Sequence, residues 1–118
     1  MTTDSDTGRV YGGQFQPNDH NNPRTIIARW VPQGARVLEV GPGDGVVGAW
    51  LTTQKGCRVI GVEYVAVAAA AAAATFEHMI VGSIEDPQVQ DEVRTLAPYD
   101  VIIFADVLEH LVDPWGVL

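Results

Sequence analysis

The sequence is poor in cysteine, in long apolar runs and, over its second half, in basic residues. Its one cysteine among 118 residues, Cys57, lies in an apolar segment, which favours a buried structural thiol over a functional one. No signal peptide and no run of about 18 apolar residues is present, so we expect no membrane contact and a cytoplasmic location. With 47% hydrophobic and 19% charged residues, the composition is typical of one globular domain.

The scarcity of basic residues is one-sided. Residues 1–59 hold five acids and six bases, whereas residues 60–118 hold ten acids and only Arg94 as a base, within a net charge of −8. An acidic half of this kind repels polyanions, so we expect no nucleic acid as a partner. A small cationic ligand would not be repelled.

A glycine-rich segment follows the first strongly apolar stretch. Residues 36–40 predict a short buried strand, and the glycines at positions 41, 43 and 45 permit a sharp turn against a ligand. Residues 46–54 predict a helix whose first N–H groups point at that ligand. No Lys or Arg lies between Arg36 and Lys55, and no Gly-Lys-Ser/Thr sequence ends the loop. A nucleoside triphosphate is therefore not the expected ligand.

Acids stand near the ends of two predicted strands. Glu39 precedes the first glycine by two residues, in a strand that dinucleotide-binding folds usually keep apolar, and should face a cationic or hydrogen-donating partner. Glu63 ends the predicted strand 57–63, where an acid can accept both ribose hydroxyls of an adenosine. NAD-dependent dehydrogenases share this spacing. Residues 43–48 even fit Gly-x-Gly-x-x-Gly, but out of register, because the first glycine after the strand is Gly41.

A third segment, YDVIIFADVLEHLVDP at residues 99–114, combines an apolar strand with acids at its carboxyl end, where open α/β sheets bind ligands. It closely resembles the fourth motif and following helix of the ubiquinone-biosynthesis-like, small-molecule group of class I S-adenosylmethionine-dependent methyltransferases. The segment EVGPGDG at residues 39–45 resembles the first motif of the same class. With the two motifs in the correct order, residues 26–118 are identified as similar to the N-terminal, cofactor-binding half of such an enzyme.

The resemblance implies a Rossmann-like parallel sheet with crossover helices, S-adenosylmethionine as cofactor and methyl transfer to a small-molecule acceptor. Positioning supplies much of such catalysis, since the leaving group is a neutral thioether, and no metal is required. The cofactor-binding residues that it implies are Glu39, Gly41, Gly43, Asp44, Gly45, Glu63, Tyr64, Ser83, Ile84 and Asp106.

Several roles stay open within this resemblance. Tyr64 lies either beside the adenine or in the core at a helix start. Ser83 occupies a place often held by Asp, which leaves the polar contact to adenine open. His110 is either a general base near the acceptor or a structural histidine. Asp106 would line the cofactor cavity.

Other classes of function remain alternatives. The chain could be a fragment of an NAD(P)-binding dehydrogenase or a non-catalytic module that binds a nucleoside or a partner protein. Asp106, Glu109, His110 and Asp113 also fall at helical spacing, as metal ligands do. Pro114 makes Asp113 a helix N-cap instead, so we expect no metal.

Alternation of strands and helices predicts one domain, residues 23–118, after a polar and mobile segment, residues 1–22. A first helix is predicted to be capped at Asn22-Pro23, to run through Ile26, Ile27 and Trp30, and to be ended by Pro32 and Gly34. The later elements are strand 36–40, helix 46–54, strand 57–63, helix 65–74, strand 78–81, helix 87–96 and strand 99–104. The alanines at 68–74 predict a helix without a polar face. Class I methyltransferases have seven strands, so we expect a fold truncated after its fourth strand and inactive alone. Either the chain continues, or a homodimer completes the sheet.

Overall fold

Strands and helices alternate along the chain in the computed structural model, which describes residues 2–3, 10–11 and 23–104. The elements are β1 (Thr2–Thr3), β2 (Val10–Tyr11), α1 (Pro23–Trp30), β3 (Arg36–Val40), α2 (Val46–Lys55), β4 (Arg58–Glu63), α3 (Ala66–Ala72), β5 (His78–Val81), α4 (Pro87–Thr95) and β6 (Val101–Phe104). A 3-10 turn, Ala73–Thr75, continues α3. β1 and β2 form an antiparallel pair that the sequence did not predict.

The other four strands form a parallel sheet in the order β5-β4-β3-β6. The chain moves outward from β3 to β5 and then returns to place β6 on the other side of β3. This reversal creates a crevice at the carboxyl ends of β3 and β6, where doubly wound sheets bind ligands. The predicted Rossmann-like sheet with crossover helices is confirmed.

Helices cover both faces of the sheet, and alternate residues of each strand point to opposite layers. Val37 and Val59 belong to a core cluster on the face covered by α1, α2 and α3. Leu38 and Ile60 belong to a second cluster that packs against α4. Glu39 shares the face of Val37, which places a carboxyl inside the first layer. No helix that the structure describes is long and apolar enough to cross a membrane.

The element boundaries differ from the prediction by up to two residues, and local hydrogen bonds explain two of the differences. β4 begins at residue 58 because Cys57 N–H still donates to Leu51 O, beyond a left-handed Gly56 with φ 61°. β6 begins at residue 101 because Asp100 is held in a turn, where its carboxylate accepts the Arg36 N–H at 2.8 Å.

Lys55, at the end of α2, fixes the end of α1. Its ammonium donates hydrogen bonds to three carbonyl oxygens there, those of Ala28 at 2.9 Å, Arg29 at 2.7 Å and Val31 at 2.6 Å. The last carbonyls of a helix lack partners within the helix, and they carry partial negative charge. Lys55 therefore closes α1 and joins it to α2.

Candidate cofactor site

The glycine loop, residues 41–45, connects β3 to α2 at the carboxyl edge of the sheet. Gly43 has φ 62° and Gly45 has φ 81°, which is left-handed backbone that favours glycine. A Cβ added to Gly45 would lie 2.6 Å from Cβ of Ala72, so α3 packs directly against the loop. Gly41 N–H donates to Val62 O at 2.8 Å and ties the loop to β4. The sharp turn predicted from the sequence is present.

Asp44 places a partly unsatisfied carboxylate at the start of α2. Its Oδ1 accepts a long hydrogen bond of 3.3 Å from Val46 N–H, next to the N-cap residue Gly45. Its Oδ2 is buried and has no hydrogen-bond partner among the residues that the structure describes. An acceptor thus faces the positive end of a helix without a donor of its own.

Glu63 is a buried carboxylate whose two oxygens both accept backbone hydrogen bonds. Oε1 accepts from Gly43 N–H at 2.8 Å and Oε2 accepts from Val65 N–H at 2.8 Å. Glu63 therefore joins the glycine loop to the turn between β4 and α3. Each carboxylate oxygen has a second lone pair, so capacity remains for the hydroxyls of a ligand.

Glu39 is a deeply buried acid that, like Asp44, has one oxygen without a described partner. Its side chain is 1% exposed, and no described residue forms a hydrogen bond with its Oε1. Burial raises the pKa of Glu39 from 4.5 to about 7, and the Arg24 guanidinium opposes this increase, whereas Asp44 and Glu63 add to it. A buried carboxyl oxygen without a donor is costly, so this position favours a ligand that donates a hydrogen bond.

Arg24 is a site residue that sequence reasoning missed. It lies half-buried in the first turn of α1, and its charge acts on the carboxyl of Glu39. The available signal was a base in a helical first turn without acids, which the helix dipole disfavours. The structure thus brings a base from α1 to the acids of β3, the loop and β4.

Three further predicted residues follow β4 and β5 at the same edge of the sheet. Tyr64 is 75% exposed, so its ring does not join the described core. Ser83 Oγ accepts the Glu85 N–H at 3.1 Å and shapes the turn after β5. Ile84 is buried, and its carbonyl accepts a hydrogen bond from the Gln90 side chain at 2.9 Å.

The remaining predicted residues, Asp106 and His110, lie outside the described residues, as do Glu109 and Asp113. Within residues 23–104 and the two short N-terminal strands, no group of three His, Cys, Asp or Glu side chains could hold a metal.

Gly48, the last glycine of the out-of-register dinucleotide pattern, has a packing role. It is buried in α2, and an added Cβ would lie 2.3 Å from Cζ of Phe76 and 3.0 Å from Oε1 of Glu39. Close helix packing is also what the third glycine of a dinucleotide-binding pattern provides, so Gly48 does not separate the two classes of function.

Comparison with known families decides between the remaining classes. Residues 16–118 match a family described as the methyltransferase domain. The chain belongs to this family. Over 73 residues, this chain is 40% identical to ribosomal RNA small subunit methyltransferase C of Chromohalobacter salexigens. The match covers 61% of this chain and 21% of that relative.

Solved structures show the same fold. A TehB-like SAM-dependent methyltransferase from Corynebacterium glutamicum has a TM-score of 0.61 and 24% identity, covering 77% of this chain and 48% of that one. The N-terminal domain of EvdMO1 with SAH bound has a TM-score of 0.64 and 21% identity, covering 80% and 41%. This chain thus spans less than half the length of these two structures and about a fifth of the ribosomal RNA enzyme.

These findings confirm, at the level of the family, the predicted methyltransferase class and S-adenosylmethionine as its cofactor. The predicted exclusion of nucleic acid is wrong, because a relative with 40% identity is named for ribosomal RNA. The error has a physical reason: net charge was read from a chain that spans 21% of that relative, and charge on one part does not describe an acceptor surface built by another.

Proposed function

We propose that this chain binds S-adenosylmethionine in the crevice at the carboxyl ends of β3 and β6, as the cofactor half of a methyltransferase. One observation carries the proposal. Two buried carboxylate oxygens, Glu39 Oε1 and Asp44 Oδ2, lack partners among the described residues, and both adjoin the glycine loop. Buried acceptors without a donor are rare, and a ligand that donates hydrogen bonds would satisfy both.

The charges suit the methionine end of the cofactor. Its ammonium would lie against Glu39 and Asp44, and its carboxylate against Arg24 and the first N–H groups of α2. Glycines at positions 41, 43 and 45 leave the loop without side chains that would block this approach. One zwitterionic group would thus offer donors to the two acids and a carboxylate to the base.

The nucleoside end would follow β4 and β5. Glu63 would accept the ribose hydroxyls, while Tyr64, Ser83 and Ile84 would surround the adenine. Ser83 supplies a hydroxyl there instead of a carboxylate. Asp106 would line the cavity. When bound, the cofactor supplies a methyl group on a sulfonium, and the residues named here position that group for in-line displacement.

His110 is the proposed general base toward the acceptor. In the whole protein, His110→Ala should lower turnover by about 10²- to 10⁴-fold and leave cofactor affinity nearly unchanged. A lower melting temperature with unchanged turnover would instead show a structural histidine.

The acceptor has two candidates. A small molecule is favoured by the resemblance at residues 99–114 to small-molecule methyltransferases. Ribosomal RNA is favoured by the relative with 40% identity. The whole protein, incubated with methyl-labelled cofactor and either purified ribosomal RNA or a small-molecule extract of the source cells, would transfer label to one of the two. The cytoplasmic location remains a prediction, which cell fractionation checks.

Calorimetry on the whole protein tests cofactor binding with S-adenosylmethionine, S-adenosylhomocysteine and NAD. We expect the first two to bind and NAD not to bind; the reverse order would overturn the proposal. Gly43→Val should abolish binding because a branched side chain enters the loop. Gly34→Val is the matched control, since Gly34 has a similar φ of 70° and nothing lies within 4 Å of an added Cβ.

A further inference from the structure

More acidic than basic side chains act on the carboxyl of Glu39. Its carboxyl is influenced by one base, Arg24 of α1, and by two acids, Asp44 of the glycine loop and Glu63 of β4. α2 contributes Gly48, whose added Cβ would lie 3.0 Å from Oε1, and α3 is built of alanine and valine alone. Taken together, the described elements around Glu39 place two acids and one base near its carboxyl.

Of these three acids, Glu39 is the most deeply placed. It lies on the central strand β3, opposite Gly61 of β4 and Ile103 of β6, and its side chain is 1% exposed. Water cannot stabilise its negative charge at this depth. Glu63, in contrast, accepts two backbone hydrogen bonds, so its ionised form has donors of its own.

We propose that cofactor binding releases one proton from the Glu39 carboxyl, so that the site binds its ligand more weakly as the pH falls below neutrality. The inference rests on the proposed function. Without ligand, the buried carboxyl holds its proton near neutral pH. The arriving ammonium requires the ionised form, so the O–H bond of the acid breaks and the proton passes to the buffer.

The expected size follows from the pKa of about 7 that burial gives Glu39. The affinity for S-adenosylhomocysteine should fall about tenfold from pH 7.5 to pH 6, with about 0.9 protons released per ligand at pH 6 and about 0.2 at pH 7.5. Calorimetry of the whole protein in two buffers with different ionisation enthalpies counts these protons. 5′-Methylthioadenosine, which lacks the ammonium and the carboxylate, should release none and bind equally at both pH values.

Two variants assign the proton to its residue. Glu39→Gln cannot ionise, so its affinity for S-adenosylhomocysteine should be low and independent of pH. His78→Gln is the control, because it removes an exposed imidazole at the start of β5, where His78 contacts Glu92 at 2.9 Å. This control should keep the tenfold change.

The outcomes separate the two proposals. Binding of S-adenosylhomocysteine without proton release at pH 6, or a pH dependence that His78→Gln removes, overturns the proton coupling and leaves the proposed function intact. Failure to bind at any pH overturns the proposed function. If Glu39→Gln does not fold, the proton count of the unaltered protein and the comparison with 5′-methylthioadenosine still decide.

Discussion

At the scale of single residues, Glu39 and Glu63 of the same sheet differ in how many hydrogen bonds their carboxyl oxygens accept. Both Glu63 oxygens accept backbone N–H groups, so this residue organises the loop even before a ligand arrives. Glu39 is buried more deeply and has an oxygen without a described partner. Two backbone donors therefore contact the Glu63 carboxyl, whereas one oxygen of the Glu39 carboxyl has no donor among the described residues.

Glu63→Gln tests the double role of this residue. We expect S-adenosylhomocysteine affinity to fall by about 1 to 3 kcal/mol, because an amide offers the ribose one oxygen without charge. Stability should also fall, by about 1 to 3 kcal/mol, because one buried N–H loses its acceptor. Calorimetry and urea unfolding measure the two effects. Glu92→Gln, at an exposed ion pair, should change neither, and unchanged affinity in Glu63→Gln would remove Glu63 from the site.

Glu39 should make the cofactor-free protein less stable as pH rises. Its pKa is raised on folding from 4.5 to about 7, so its contribution is fully present below pH 4.5 and is lost as pH rises through 7. The change corresponds to about 3 kcal/mol. Relative to the unaltered protein, Glu39→Gln should therefore gain about that much stability between pH 4.5 and pH 8 in urea unfolding. A constant difference across this range would contradict the raised pKa.

The sequence predicts Glu39 and Glu63 as binding residues because an acid at the end of an apolar strand differs from its neighbours. Their hydrogen bonds could not be predicted in the same way. Which acid meets a backbone donor depends on how the loop folds over β4, and that depends on contacts such as Gly45 against Ala72. Arg24 was missed because only the packing of α1 on the sheet brings it toward Glu39.

At the scale of elements, the contact between α1 and α2 depends on one ammonium. Lys55→Met should cost about 1 to 3 kcal/mol, because three carbonyl oxygens at the end of α1 lose a charged donor. Arg94→Met is the control, since Arg94 also ends a helix but forms an exposed pair with Asp91, and its loss should cost less than about 0.5 kcal/mol. Equal losses in urea unfolding would show that Lys55 does not close α1.

The main sheet was predictable because its strands are largely apolar segments between turn residues, and the two central strands, β3 and β4, are buried on both faces. The helices were predictable from their ends, for example Asp86, whose side chain accepts the Gln88 N–H before Pro87 at the first position. The β1–β2 pair was not, because strands of two residues carry no periodic pattern. The change from α-helix to 3-10 turn after Ala72 was also hidden within uniform alanine.

At the scale of the whole molecule, the described residues leave an apolar surface beside β6. Trp30 is 85% exposed and Ile102 is 53% exposed. Trp30→Ser should change the free energy of unfolding by less than about 0.5 kcal/mol, whereas Leu51→Ala, at a fully buried position, should cost about 2 to 5 kcal/mol. Urea unfolding compares them. A large loss for Trp30→Ser would show that another part of the protein covers this ring.

Fold and cofactor class were accessible at this scale because both depend on the order of motifs along one sheet. The acceptor was not, because acidic residues near one edge of a sheet determine only the local field. Recognition of phosphates depends on Lys and Arg side chains on the surface that binds the acceptor, wherever in the protein that surface lies. The charge of residues 60–118 therefore describes the local field of those residues, but it does not determine whether nucleic acid is a partner.

The hydrogen bonds of Lys55 at the end of α1 also allow the detachment of this helix to be measured by covalent labelling. Lys55 is the only lysine of the sequence, and its nitrogen is engaged by three carbonyl oxygens in a half-buried setting. An amine-directed reagent would therefore modify Lys55 only while α1 is detached. The ratio of this modification rate to that of a lysine in a short unstructured peptide would report how often the helix that carries Arg24 leaves the sheet.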